Sequence, residues 1–281
     1  MRILFCADIH VSPDHLEAFL AEIRARRPDA AVIGGDIVPH RLGHTGLSFI
    51  ESHRKYLCET FVPRIREFRR EDGTPLYLDL GNDDLLAGRS VLEEHDGALF
   101  CLLHGRKHAL SPELDILGYM CVPFTPFALK DWERPDTRER PLARPELRVR
   151  WDGYVTGKGV REDVRLSPQS GVPISEDLAR LSKQVTGPFI FVSHSPPNGT
   201  ALDMLQSRDH VGSVAVRRFI EHWAQDGRLL ASFHGHIHES PEVSGKACEP
   251  FGRVWACNPG QRPDRFCFLL WEDGAAEAFP A

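Results

Sequence analysis

Five short apolar runs constrain this chain more than any other feature of its sequence: RILFCA (2–7), AAVIGG (30–35), PLYLDL (75–80), PFIFVS (188–193) and LLASFHG (229–235). Each reads as a buried strand bounded by turn residues or charges. The segments between them carry helical spacing instead. Leu16, Phe19, Leu20 and Ile23 mark one helical face, with Ser12 placed as N-cap and Pro13 at the first helical position. Leu47, Ile50, Leu57, Phe61, Ile65 and Phe68 mark a second face over 45–70, which Pro63 should interrupt or kink. DLARLSKQV (177–185) and SVAVRRFIEHWAQ (213–225) repeat the pattern in the second half. Strands alternating with helices argue for an α/β fold with parallel neighbours at its heart. RVWACN (253–258) and RFCFLLW (265–271), separated by a Pro/Gly turn, suggest an antiparallel finish.

Residues 130–165 break this grammar. They hold ten Lys/Arg, eight Asp/Glu and three prolines with little periodicity, and read as a charged surface excursion within one domain spanning 1–281. A sharper reading makes the excursion a cap whose arginines reach a substrate phosphate. The remaining composition, 42% hydrophobic and 26% charged, is that of a globular protein. A formal charge of -6 and a pI near 6.2 lack the basic excess of a nucleic-acid binder. No run is long enough for a membrane span or a secretory signal. Seven cysteines without a C-x-x-C pair, most inside apolar runs, fit a reducing, cytoplasmic compartment.

The polar residues cluster where these strands end. Asp8 and His10 follow the first run, Asp36 the second, Asn82, Asp83 and Asp84 the third, His194 the fourth, and His236 and His238 the fifth. In α/β sheets that edge is where ligands bind. Imidazoles, carboxylates and an amide oxygen, with no thiolate, suit Mn, Fe, Zn or a similar ion. Asp8, His10, Asp36, Asn82, His194, His236 and His238 make seven such groups, too many for one tetrahedral centre and about right for two ions sharing a carboxylate.

The ordered set Asp8-Ile9-His10, Gly35-Asp36, Gly81-Asn82-Asp83-Asp84, His194 and Gly235-His236-Ile237-His238 resembles the calcineurin-like metallophosphoesterases, whose motifs run D-x-H, G-D, G-N-x-[DE], H and G-H-x-H. The run SHSPPNGTALD and the GHIHES ending look most like the branch of predicted phosphoesterases related to cyclic-nucleotide phosphodiesterases. The resemblance implies two mixed β-sheets packed face to face with helices on both outer sides, the antiparallel tail belonging to the second sheet. It also implies two divalent or trivalent ions: Asp8, His10 and His238 on one, Asn82, His194 and His236 on the other, and Asp36 bridging. A hydroxide held between the ions would attack phosphorus in line with the leaving oxygen. His234 lies outside the pattern and reads as a packing residue. NPGQ (258–261) resembles a loop that closes beside the site.

One position departs from the family pattern. Asp83 stands where many of these phosphatases carry a histidine that protonates the leaving group. An ionised carboxylate is a poor acid and opposes a dianion, which favours phosphodiesters over monoesters. His40, four residues after Asp36, is the best substitute acid, ahead of His44, His104 and His108. The expected substrate is a small phosphate ester. A phosphomonoesterase or protein phosphatase, a non-catalytic binding module and a nuclease are the competing readings.

Overall fold

The computed structural model describes residues 1–40, 42, 46–139 and 149–280. β1 (Arg2–Cys6) leads to α1 (His15–Arg26), β2 (Ala30–Ile33), α2 (Phe49–Tyr56), α3 (Val62–Glu71) and β3 (Leu76–Leu78). α4 (Arg89–Glu93), β4 (Cys101–Leu102), β5 (Lys107–Ser111) and β6 (Leu114–Tyr119) follow. A hairpin of β7 (Asp152–Val155) and β8 (Glu162–Arg165) precedes α5 (Ile174–Ser182), β9 (Phe189–Ser193), α6 (Val214–Asp226) and β10 (Leu229–His234). The chain ends with α7 (Ser240–Ser244), β11 (Cys248–Phe251), β12 (Val254–Cys257), β13 (Phe268–Glu272) and β14 (Ala275–Phe279).

Two six-stranded sheets result, in the orders β14-β13-β1-β2-β3-β4 and β11-β12-β10-β9-β6-β5. Each has four parallel strands. In the first, β13 and β14 add antiparallel; in the second, β5 and β11 form antiparallel edges. The sheets pack face to face, with Phe5 of β1 and Phe233 of β10 at 5.2 Å between ring centroids. Helices cover the outer faces: Phe219 of α6 stacks on Phe191 of β9 at 4.5 Å. Together these residues form one continuous apolar core.

The apolar stripes named from the sequence are the buried ones except Leu47, which lies before α2 and is exposed, and boundaries shift. α1 buries Leu16, Phe19, Leu20 and Ile23 yet starts at His15 with Asp14 at its cap. Ser12 instead closes a turn, accepting from the Asp14 N–H at 3.4 Å. The second stripe is one helical run interrupted where Pro63 demanded it. A π turn over Leu57–Phe61, in which Val62 N–H reaches the Leu57 carbonyl, stands directly before Pro63 in the first turn of α3. Ser48 and Glu51 form a capping box at the start of α2.

Three expectations change. The tail does not stay in one sheet: β12 pairs in parallel with β10, whereas β13 crosses to the first sheet and pairs antiparallel with β1. Closeness in sequence makes the two runs look like neighbours, but the loop between them is long enough to change sheets. The excursion is not uniformly solvated, because Lys130, Asp131, Trp132, Glu133 and Asp136 are buried. Their charges are used internally: Lys130 pairs with Glu133 at 2.8 Å, and Asp136 accepts from the Val214 N–H at 2.7 Å at the start of α6. The β7–β8 hairpin folds back onto this segment, and Lys130 N–H donates to the Tyr154 carbonyl at 2.9 Å. Residues 140–148, which hold three of the excursion's arginines, lie outside the described residues. Finally, Cys248 and Cys257 face each other across β11 and β12 and are joined as a disulfide, so cysteine usage carries no argument about the compartment. Among the described residues, no helix is long and apolar enough to cross a membrane.

Candidate metal centre

Five loops, each leaving the C-terminal end of a strand, converge on one rim. Three of their polar residues, Asp8, Asp36 and His236, adopt left-handed backbone with φ of 59°, 55° and 70°. Such angles cost of order 1–3 kcal/mol in a residue with a Cβ and persist where surrounding structure over-determines them. Here backbone bonds tie the loops together. Asp8 N–H donates to Gly35 carbonyl and His10 N–H to Asp36 carbonyl, both at 3.0 Å. The Asp8 carboxylate accepts from the His236 N–H at 3.1 and 3.0 Å. Asp84 is a second suture: its carboxylate accepts from the N–H groups of Ile37, Val38 and Gly81, each at 2.9 Å. Gly81 is required by proximity, since a Cβ there would land on the Asp36 carboxylate.

These ties bring all seven expected ligands together. Asp36 Oδ2 lies 3.6 Å from His10 Nδ1 and 3.2 Å from His194 Nε2, between the two halves of the donor set. His194 Nε2 is also 2.9 Å from Asn82 Oδ1 and 3.9 Å from Asp8 Oδ1. His238 Nε2 lies 3.5 Å from Asp8 Oδ1, and the His194 and His236 rings are 5.4 Å apart. Donor atoms of Asp8, His10, Asp36 and His238 all fall within 4.8 Å of one another.

The residues fit a cation. His194 Nδ1 sits 2.8 Å from Gly34 carbonyl, a contact that requires the proton on Nδ1 and leaves the Nε2 lone pair facing three acceptor oxygens. Lone pairs aimed at oxygens are repulsive unless a positive charge lies between them. Without an ion a proton on Nε2 supplies that charge: burial opposes it, yet Asp36 and Asp8 raise the His194 pKa to about 10, and a bound cation would take the proton's place. His10 Nε2 is buried with no hydrogen-bond partner. This nitrogen, 3.8 Å from the Asp83 carboxylate, is a free donor that a bound cation would use.

At the outer edge, His40 Nε2 approaches Asp83 Oδ2 at 3.2 Å, and His10 Nε2 lies 3.8 Å from the same oxygen. The His40 side chain is 57% exposed and that of Asp83 27%, so both remain accessible from the rim. The hydrogen bond that Asp83 accepts from His40 is the main influence raising the His40 pKa; burial works against the Asp83 charge, but the same bond holds that carboxyl below its usual range. The other histidines do not compete. His104 accepts from the Met120 N–H at 3.0 Å, His108 Nε2 bonds Leu102 carbonyl at 2.8 Å, and His44 lies outside the described residues. His234 is fully buried and satisfied, between Ser232 Oγ at 2.8 Å and the carbonyls of Ser193 and Ser195.

Three residues support these loops, two of them in the NPGQ stretch already read as a loop closing beside the site. Asn258, in the NPGQ stretch, donates its amide to the carbonyls of Leu202, Gly235 and Ile237 at 3.0, 3.3 and 3.1 Å, pinning the His236–His238 loop. Gln261 N–H reaches His238 carbonyl at 3.3 Å, and its side chain reaches Ala7 carbonyl at 3.1 Å. Asp203 organises the loop after His194 by accepting from the N–H groups of Gly199, Thr200 and Gly212. The N-G-T-x-x-D spacing at 198–203 is the available signal for this turn.

Comparison with known proteins agrees with this geometry. The model of the calcineurin-like phosphoesterase family matches residues 1–240, which include all seven expected ligands. The chain belongs to this family. An uncharacterised protein of Methanocaldococcus jannaschii is 33% identical over 91 residues, 32% of this chain and 38% of that relative, so the chain matches well under half of that relative's length. One solved structure superimposes with a TM-score of 0.63 at 15% identity, covering 99% of this chain and 97% of the other. The TT1561 protein of Thermus thermophilus superimposes with a TM-score of 0.56 at 14% identity, again covering 99% and 97%. These likenesses concern the fold alone.

Proposed function

We propose that the chain is a phosphodiesterase working with two metal ions, and that Asp36 is shared between them. The observation that carries this reading is the position of Asp36, whose Oδ2 lies 3.2 Å from His194 Nε2 and which shares a cluster of donor atoms within 4.8 Å of one another with Asp8, His10 and His238. Asp8, His10 and His238 would hold one ion, and Asn82, His194 and His236 the other, with manganese, iron or zinc matching the donor set. Bound ions of this kind supply Lewis acidity and activate water at neutral pH.

The chain's own residues do the rest. Gly34 carbonyl fixes the His194 tautomer so that Nε2 faces inward. Asp8 holds the His236 backbone and so orients the G-H-I-H loop. His40, its proton retained by Asp83, can give that proton to the departing oxygen, the role for which the family pattern has a histidine at position 83. Asp83 adds negative charge at the rim, which favours a monoanionic diester over a dianionic monoester.

The His40–Asp83 pairing also favours a second reading, a phosphomonoesterase or protein phosphatase, because an imidazolium offsets the carboxylate charge. Turnover by the manganese-loaded protein of bis(p-nitrophenyl) phosphate beside p-nitrophenyl phosphate separates the two. A diester preference, abolished in Asp36→Asn, is expected. A monoester preference would select the second reading, and bound metal without turnover of either ester would select a binding module.

A further inference from the structure

A groove of about 650 Å³ opens beside the His40–Asp83 pair, and none of the seven expected metal ligands lines it. Its volume suits a small organic group. Leu85 and Leu129 lie along it and belong to a small apolar cluster separate from the main core. Phe49, Phe127 and Tyr154 also line it. Among the described residues five large apolar side chains are exposed, and three of them, Leu47, Phe49 and Phe127 at 40%, 43% and 49%, line this one groove. Single exposed apolar residues need no explanation, but a cluster beside a reactive centre marks a binding surface.

The aromatic walls are held in place. Phe49 is the first residue of α2, behind the Ser48–Glu51 capping box. Tyr154 meets it edge-on at 5.4 Å and carries the Arg161 guanidinium 4.5 Å from its ring centre. Phe127 N–H donates to the buried Thr125 hydroxyl at 3.0 Å. The charge character is equally specific. Among the described residues no Lys or Arg lines the groove; besides two histidines its ionisable side chains are Asp83 and Tyr154. Among the described residues, a second phosphate or a carboxylate would meet the Asp83 carboxylate and apolar walls there.

We propose that this groove is a leaving-group subsite that takes an uncharged, aromatic alcohol portion of the substrate, with Phe49 and Phe127 as its specificity-determining residues. The proposal rests on the hydrolase reading, because the groove begins at the pair that would protonate the departing oxygen. An aromatic ring stacked on Phe49 and Phe127 gains dispersion and quadrupole contacts that an aliphatic polyol cannot make.

Calorimetric titration of the manganese-loaded protein with adenosine, benzyl alcohol and glycerol tests it, alongside kinetics on bis(p-nitrophenyl) phosphate. The two ring-bearing alcohols should bind and glycerol should not. Tighter binding of adenosine than of benzyl alcohol would assign a nucleoside, and equal binding a simple aryl group. In Phe49→Ala and Phe127→Ala, ring binding should weaken and the diester KM rise, each by about tenfold, while inhibition by orthophosphate stays unchanged. Equal binding of all three alcohols, binding of none, or unchanged affinity in both variants would overturn the subsite even if the diester is turned over. Selective ring binding lost in the variants, with no ester turned over, would instead overturn the hydrolase reading and leave an aromatic binding groove.

Discussion

His40 is the residue on which the chemistry of this site turns. It lies in a loop, not on a strand end, yet it reaches Asp83 at 3.2 Å and stacks beside His10 with 4.4 Å between ring centroids. Because Asp83 raises its pKa, His40 keeps its proton further into neutral pH than a free imidazole and loses it as pH rises beyond that range. Replacing His40 by alanine should lower turnover of alkyl esters by about 100-fold, the ordinary contribution of a general acid, and flatten the loss of rate on the alkaline side. Esters that release p-nitrophenolate should be far less affected, since a stabilised phenolate leaves without a proton. Measured metal stoichiometry should be unchanged. His40 also falls in a potential donor cluster with His10 and Asp83, so a loss of bound metal would make it a ligand and sink its role as the acid.

At the scale of elements, the loops after β2 and β3 act as one unit because Asp84 fastens them together through three backbone N–H groups. Asp84→Asn should therefore be worse than its near-identical shape suggests. An amide has one accepting oxygen, so its NH2 must face either Val38 N–H or the N–H pair of Ile37 and Gly81. Leaving such buried donors unpaired costs about 1–3 kcal/mol each. Urea unfolding should show a loss of about 2 kcal/mol or more, and metal affinity should fall because Asp36 and Asn82 move with these loops. An unchanged unfolding midpoint would show that the suture is dispensable. The same loops explain what was legible in the sequence. Asp8, Asp36, Asn82, His194, His236 and His238 each follow an apolar run directly, so local order alone placed them at strand ends. The bonds of Asn258 and the pairing of His40 with Asp83 depend on contacts between separate loops, which spacing does not encode, whereas Asp203 closes a turn within its own loop. Residues 130–136 mislead for a related reason: Lys130, Glu133 and Asp136 look like solvated charges until their buried partners are known. The pairing of Cys248 with Cys257 likewise requires knowing that β11 and β12 are adjacent.

Across the whole molecule, two crossings join the sheets: the loop from β12 to β13 beside the metal centre, and residues 103–106 leaving β4. His104 sits at the second crossing. Its N–H donates to Asp79 at 2.7 Å, its Nδ1 accepts from the Met120 N–H just after β6, and its ring lies 5.2 and 5.3 Å from those of Tyr119 and Trp132. Burial, aided by nearby arginines that include Arg89, pushes its pKa down to about 3. A folded-state value below the unfolded one means that neutral His104 contributes stability above about pH 6.5 and loses it progressively as pH falls toward 3. Protonation at Nδ1 would also remove the acceptor for Met120. His104→Asn keeps an accepting oxygen near that N–H but has no group that titrates. The variant should therefore be less stable than the parent at pH 7.5, through lost packing, with the gap narrowing by about 1–2 kcal/mol at pH 5. Urea unfolding of both proteins at the two pH values measures this difference directly. A gap independent of pH would mean that the joint between the sheets tolerates a charged imidazole, and that acid unfolding must begin elsewhere.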